Sequence, residues 1–186
     1  MANLVDVSSN NHPNGSPIDW CDLTRQGVRG VIVKASEGTG YLNPWLARDS
    51  HGARAAGLLV GYYHFAHPGQ GGPAAEVDYF ARCVQELPHE LGLALDLEVT
   101  EGLSWPELAS WAEGFLDALR EHAAWTILYS NENFLNGLSG APWGHRLWYA
   151  APGRRPRRAC WAWQYGVVNL AGEIDADMLY EWPKQA

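Results

Sequence analysis

Gly92-Leu93-Ala94-Leu95-Asp96-Leu97-Glu98 is an apolar run that ends in two carboxylates one residue apart. Side chains along a strand alternate between its faces, so Asp96 and Glu98 share one face while Leu93, Leu95 and Leu97 share the other. Ala94 lies on the acidic face, which makes the segment apolar on both sides until its last residues, the pattern of a strand covered on both faces in a parallel sheet or barrel. In such folds active sites gather where strands end at their C-terminal side, and the two acids lie there. A solvated strand end would carry the same residues, so the surrounding sequence has to decide.

Working outward, the flanking chain alternates strand and helix. Leu4-Val5-Asp6-Val7-Ser8, Gly30 to Ser36, Leu58 to Phe65 and Thr126 to Asn131 read as further strands, with Asp6 near the end of the first. Helical segments begin at Asp19 and end at Gly27, run from Pro44 to Ala56, and from Ala74 to Leu87. Ser104-Trp105-Pro106-Glu107 has the form of a capping box, and Leu108, Trp111, Ala112, Phe115, Leu116 and Leu119 follow at helical spacing. After Asn131 the rhythm changes. A short helical piece near Phe134 to Leu138 precedes three β segments, Arg146 to Ala150, Cys160 to Gly166 and Glu173 to Asp177, with no crossover helices between them. The expected fold is one α/β domain, a barrel whose first part is parallel α/β and whose last part is mostly β.

Composition narrows the function. With 47% hydrophobic and 18% charged residues the chain is an ordinary globular protein, and its 186 residues suffice for one sizeable core. A net charge of -8 argues against gripping nucleic acid or anionic membrane. The five-residue stretch Arg154-Arg155-Pro156-Arg157-Arg158 is the only basic cluster and reads as a solvated loop. Cys21, Cys83 and Cys160 are scattered and form no C-x-x-C pair, so free thiols are expected. The His residues show no metal-ligand spacing, and neither metal nor cofactor is expected. Ten Trp and eight Tyr offer flat amphipathic rings suited to sugar faces or to core packing. Paired carboxylates at strand ends suit glycosidic bond hydrolysis, in which one acid protonates the leaving oxygen and another stabilises or attacks the sugar cation.

Several segments together resemble one family, the Chalaropsis-type lysozymes of glycoside hydrolase family 25. Asp6-Val7-Ser8 is similar to its D-V-S, Ile18-Asp19-Trp20 to its I-D-W, Val33 to Thr39 to its K-A/T-x-E-G, and Tyr63-His64-Phe65 to its Y-H-F. Asp96-Leu97-Glu98 resembles its D-x-E, Leu147 to Ala150 its L-W-x-A, Trp163-Gln164-Tyr165 its W-Q-Y, and Ile174 to Asp177 its V-D-x-N, all in the same order. Two positions depart from that pattern: Asn10-Asn11-His12 and a longer loop follow the first motif, and Asp177 stands where Asn is common.

The resemblance implies a (β/α)5β3 barrel spanning residues 1–186 as a single catalytic domain. The implied activity is that of an N-acetylmuramidase cutting peptidoglycan glycan strands between N-acetylmuramic acid and N-acetylglucosamine. By position Glu98 matches the general acid, Asp96 its partner in D-x-E, Asp6 the first-strand acid and Asp175 the acid of the last strand. Crowding among these acids, with partial burial, is expected to keep a proton on Glu98. Asp177 is expected to add a negative charge beside them. Tyr63, Tyr129, Trp148 and Gln164 are at strand positions where a ring or amide could meet a sugar or could pack the core. The rivals are a chitinase-like glycosidase with the same acids and a catalytically silent wall-binding module. A zinc amidase lacks its ligand set. The chain begins without a basic and apolar leader and has no span of ~20 apolar residues. The resulting expectation is a monomeric endolysin-type enzyme, not inserted in membrane, made in the cytoplasm and acting at the wall after release.

Overall fold

The computed structural model describes residues 2–169 and 173–183. Strand β1 (Leu4–Val7) pairs in parallel with β2 (Gly30–Glu37), and parallel pairing continues through β4 (Leu59–Phe65), β5 (Leu93–Asp96), β6 (Thr126–Asn131), β7 (Arg146–Ala150) and β8 (Ala162–Asn169). The last strand, β9 (Glu173–Leu179), runs antiparallel to both β8 and β1 and closes the ring. Eight strands thus form a closed barrel in a single α/β domain. A two-residue strand, β3 (Tyr41–Leu42), hangs on the end of β2 outside the ring. The sequence reading has no counterpart for it, because two exposed residues after a turn leave no periodic trace.

Helices α1 (Trp20–Arg25), α2 (Leu46–Ala55), α3 (Pro73–Val84), α4 (Trp105–Leu119) and α5 (Glu132–Gly137) follow β1, the β2–β3 pair, β4, β5 and β6. No helix lies between β7 and β8 or between β8 and β9 among the described residues. β7 and β8 are nevertheless parallel, the return being made by the irregular segment through residues 151–161.

Side-chain alternation divides the core in two. Leu4, Ile32, Ala94, Ile127, Trp148, Ala162 and Leu179 fill the barrel interior. The alternate residues, among them Val5, Val31, Val33, Leu93, Leu95 and Leu97, face outward into a second buried cluster that includes Val77 and Phe80 of α3 and Leu108, Phe115 and Leu116 of α4. Each such buried side chain stabilises the fold by roughly 1.5–3 kcal/mol. The stripe anticipated on α4 is the set of residues it buries, and its capping box forms, with the Ser104 amide donating to Glu107 Oε2 at 2.9 Å. α3 is tied to the wall by a buried relay in which His64 meets Ser36 Oγ through Nδ1 and Glu76 Oε2 through Nε2, both at 2.8 Å. Ser36 and His64 have no exposed surface and Glu76 is 2% exposed, so this Ser-His-Glu series braces the fold out of reach of any substrate.

Candidate active site

Asp6 of β1 lies directly opposite Asp175 of β9 in the antiparallel ladder, so both carboxylates project from the same face. That face is the interior, since Leu4 and Leu179, in step with them, are inside the barrel. Asp96 is the last residue of β5, level with Phe65 on one neighbour and Tyr129 on the other. The expected strand over 92–98 stops there as a ladder, although the Leu97 amide still donates to the Tyr129 carbonyl at 3.1 Å. Glu98 therefore sits just beyond the sheet, exposed on the rim above the buried Asp96. Tyr63 of β4 stands among all four acids: burial and then Asp6, Asp96, Asp175 and Glu98 hold its phenol well above the usual range. The structure thus brings the four carboxylates anticipated from sequence to one mouth, at the C-terminal ends of the parallel strands.

Each of these acids holds its proton more tightly than a free carboxyl group. Burial, followed by the neighbouring Asp175, pushes Asp6 up to about 7, against lowering by the hydrogen bond from Gln164 and by the nearby Asp177 carboxyl group. Asp96 is raised well above its ordinary value by burial, then by Glu98 and Asp6, and Lys34 opposes the shift. Glu98, though exposed at its edge, is raised first by partial desolvation against the barrel mouth and then by Asp175, a hydrogen bond with Asn131 opposing. Desolvation, more than the crowding expected from sequence, leads in every case, and Glu98 interacts with Asp175, Asp96 and Asp6 in turn. Asp175 is itself raised by burial.

The floor of the mouth is a hydrogen-bonded set. Tyr129 Oη donates to Gln164 Oε1 at 2.7 Å, and Gln164 Nε2 donates to Asp6 Oδ2 at 2.9 Å. Trp148 Nε1 donates to Asp177 Oδ1 at 2.7 Å, and its ring meets Tyr129 edge-on at 4.4 Å and Tyr63 at 6.3 Å. Trp148, Tyr129 and Gln164 are only 2%, 8% and 9% exposed, whereas Tyr63 is half-buried. Asp177 is not at the rim. It is fully buried one layer below Asp175, level with Gln164, and burial followed by Asp6 raises it well above the carboxylate range. The negative charge expected beside the rim is thus set a layer deeper, where burial disfavours the charged form.

A rim network escapes the sequence reading. Lys34 Nζ donates to Glu37 Oε2 at 2.6 Å and lies 5.0 Å from the Phe65 ring centre. Glu37 Oε1 meets His67 Nε2 at 2.9 Å, His67 Nδ1 meets Glu101 Oε1 at 2.5 Å, and Glu101 Oε2 accepts from the Gly69 amide at 2.9 Å. Burial works against the charged imidazole, but the hydrogen bonds to Glu101 and Glu37 outweigh it and raise His67. Lys34 and Glu37 lie at the end of β2, His67 and Gly69 follow β4 and Glu101 follows β5, so only the pairing of these strands brings them together. In the basic loop, Arg158 donates to Asn136 Oδ1 at 2.6 Å and lies beside Glu132, while Arg154, Arg155 and Arg157 are exposed. Among the described residues no cluster of His, Cys, Asp or Glu is arranged to hold a metal ion, and no helix is long and apolar enough to cross a membrane.

A closed α/β barrel with carboxylates gathered at the C-terminal ends of its strands is the frame of a glycoside hydrolase. The chain belongs to the glycosyl hydrolases family 25, whose family model matches residues 5–172. An N,O-diacetylmuramidase from Chalaropsis sp is 35% identical over 144 residues, 66% of this chain and 64% of that protein. The autolytic lysozyme of Clostridium acetobutylicum is 29% identical over 172 residues, 88% of this chain and 52% of that protein. The chain spans about half to two thirds of the length of these relatives. A family 25 glycosyl hydrolase from Bacillus anthracis has the same fold, with a TM-score of 0.83 at 22% identity over 95% of this chain and 88% of that one.

Proposed function

We propose that the chain is a muramidase that hydrolyses the β-1,4 bond between N-acetylmuramic acid and N-acetylglucosamine in peptidoglycan, its residues 1–186 forming one catalytic domain on a (β/α)5β3 barrel. The observation that carries this reading is the division of labour in the D-x-E pair. Glu98 is exposed on the rim with a raised pKa, and Asp96 is buried beneath it with Oδ1 lacking any hydrogen-bond partner. The relatives named as muramidase and lysozyme support the same substrate class.

In this mechanism Glu98 gives its proton to the glycosidic oxygen as the bond to the anomeric carbon breaks. Positive charge develops on the sugar and is met by Asp96, whose carboxylate form that charge favours once the substrate is bound. Asp96 acts either on the oxocarbenium itself or through the 2-acetamido group. In the second route the acetamido oxygen closes on the anomeric carbon, and the unpartnered Asp96 Oδ1 accepts its N–H. Glu98, now a carboxylate, takes a proton from the incoming water and returns to its starting state. Asp6 and Asp175 complete the anionic wall, and Tyr63, less buried than Tyr129 or Trp148, offers its ring to the sugar. Tyr129, Trp148 and Gln164 act from the floor.

The test is digestion of purified peptidoglycan with the new reducing ends identified by mass spectrometry. Muramic acid ends support the proposal. Glucosamine ends would move the reading to a chitinase-like specificity, and the absence of new ends would favour a silent wall-binding barrel.

A further inference from the structure

Asp177 is a buried carboxyl group that this mechanism leaves idle, and its surroundings restrict its charge. Gln164 is its cross-strand partner on β8, and Leu4 of β1, one layer below Asp6, is its partner on the other side. Its Oδ1 accepts from Trp148, whereas Oδ2 is buried and finds no donor. Asp6 and Asp177 are diagonal neighbours on the interior face, Asp6 pairing with Asp175 and Asp177 with Leu4, and Gln164, the cross-strand partner of Asp177, donates to Asp6 Oδ2 at 2.9 Å. Two carboxylates so close cannot both ionise without a compensating cation. The charged groups facing Asp177 are Asp6 from β1 and Asp175 from its own strand, and Trp148 and Gln164 are neutral. Lys34, the cation of the mouth, is bonded to Glu37 and faces Asp96.

We propose that Asp6 and Asp177 share a single proton, resident on Asp177, and that Asp177 is a positioning residue whose O–H holds the Asp6 carboxylate in place for the reaction. The proton resolves the orphaned Oδ2, which becomes a donor to Asp6. Asp6 then receives hydrogen bonds from below, through Asp177, and from Gln164, itself fixed by Tyr129. These bonds orient Asp6 in the mouth and favour its charged form. Asp177 never touches substrate, because it has no exposed surface. The catalytic part of this inference rests on the muramidase reading, but the shared proton does not.

Two measurements test it. Carboxyl-carbon NMR on protein labelled at aspartate, recorded at neutral pH, should show a protonated carboxyl signal in the wild type that disappears in Asp177→Asn. A spectrum in which that substitution removes only an ionised signal would overturn the proposal, whatever the enzyme cleaves. Kinetics supply the second arm. Asn can accept from Trp148 and donate to Asp6, so Asp177→Asn should keep kcat within about threefold of wild type, with the alkaline limb of the pH profile unmoved. Asp177→Leu has similar shape without the donor, and should lose at least tenfold in kcat with KM little changed. Equal losses in the two variants, each folded by circular dichroism, would mean that Asp177 does not act by donating to Asp6. Wild-type protein with the protonated signal but no muramidase activity would leave the shared proton standing and refute the functional reading alone.

Discussion

Gly92 opens the acidic strand, and replacing it with Ala tests whether that strand's seating governs both stability and activity. Its φ is +89°, and a Cβ built on it would lie 2.3 Å from the carbonyl oxygen of Trp125. That oxygen belongs to the backbone and accepts the Leu93 amide at 3.0 Å, so it cannot swing away without loosening the β5–β6 ladder. The left-handed backbone, the overlap and the weakened hydrogen bond together cost about 3–5 kcal/mol. With ~2.1 cal/mol/K of unfolding entropy per residue, a domain of 186 residues should lose roughly 8–13 °C of Tm. Gly57→Ala is the control, because Gly57 also has a left-handed φ, +84°, but an added Cβ meets nothing within 4 Å. It should lower Tm by only about 3 °C, from about 1 kcal/mol of backbone strain. The assay is thermal unfolding by circular dichroism, with lytic activity measured at a temperature where each variant is fully folded. Gly92→Ala should also lose activity there, since a displacement of about 1 Å at the acids can lower the rate 10²-fold. A Gly92→Ala Tm within 3 °C of the Gly57→Ala value would refute the reasoning.

Two further substitutions probe the electrostatics. After burial, Asp175 is a carboxylate that raises Glu98, so Asp175→Asn should move the alkaline limb of kcat/KM toward lower pH, and an unmoved limb would place Asp175 outside the reacting group. Asp6 titrates at about 7 when folded against an ordinary 3.8, so its contribution to stability is fully present below pH 3.8 and is lost as pH rises through about 7. Asp6→Asn should therefore unfold at a higher temperature than wild type at pH 8, by up to roughly 4 kcal/mol of stability, and at the same temperature near pH 3.5. A gain that is independent of pH would contradict the assignment of that titration to Asp6.

The alternation of Leu93, Ala94, Leu95 and Asp96 is read correctly from sequence because a strand with two covered faces leaves no freedom in which residue points where. The stripe on α4 is legible for the same reason, its six buried residues repeating at helical spacing. Features set by closure are not legible. Asp6 and Asp175 are 169 positions apart in the chain, and only the antiparallel return of β9 makes them cross-strand partners. Asp177, two residues further on, has the same local pattern as Asp175 but lies one layer deeper, which makes it a fully buried carboxyl group rather than a rim charge. The Lys34, Glu37, His67 and Glu101 network is hidden likewise, since its members lie at the ends of β2, β4 and β5 and meet only when those strands pair.

The central claim is that Glu98 delivers the proton, and Glu98→Gln tests it most directly. An amide of the same shape cannot donate that proton, and general acid catalysis contributes about 10²- to 10⁴-fold. The measurement is the initial rate of reducing-end release from purified peptidoglycan by Glu98→Gln and wild type at the wild-type pH optimum, with matched circular dichroism and Tm. The account predicts a loss of at least about 100-fold in a folded protein. Retention of more than about a tenth of the wild-type rate would contradict it.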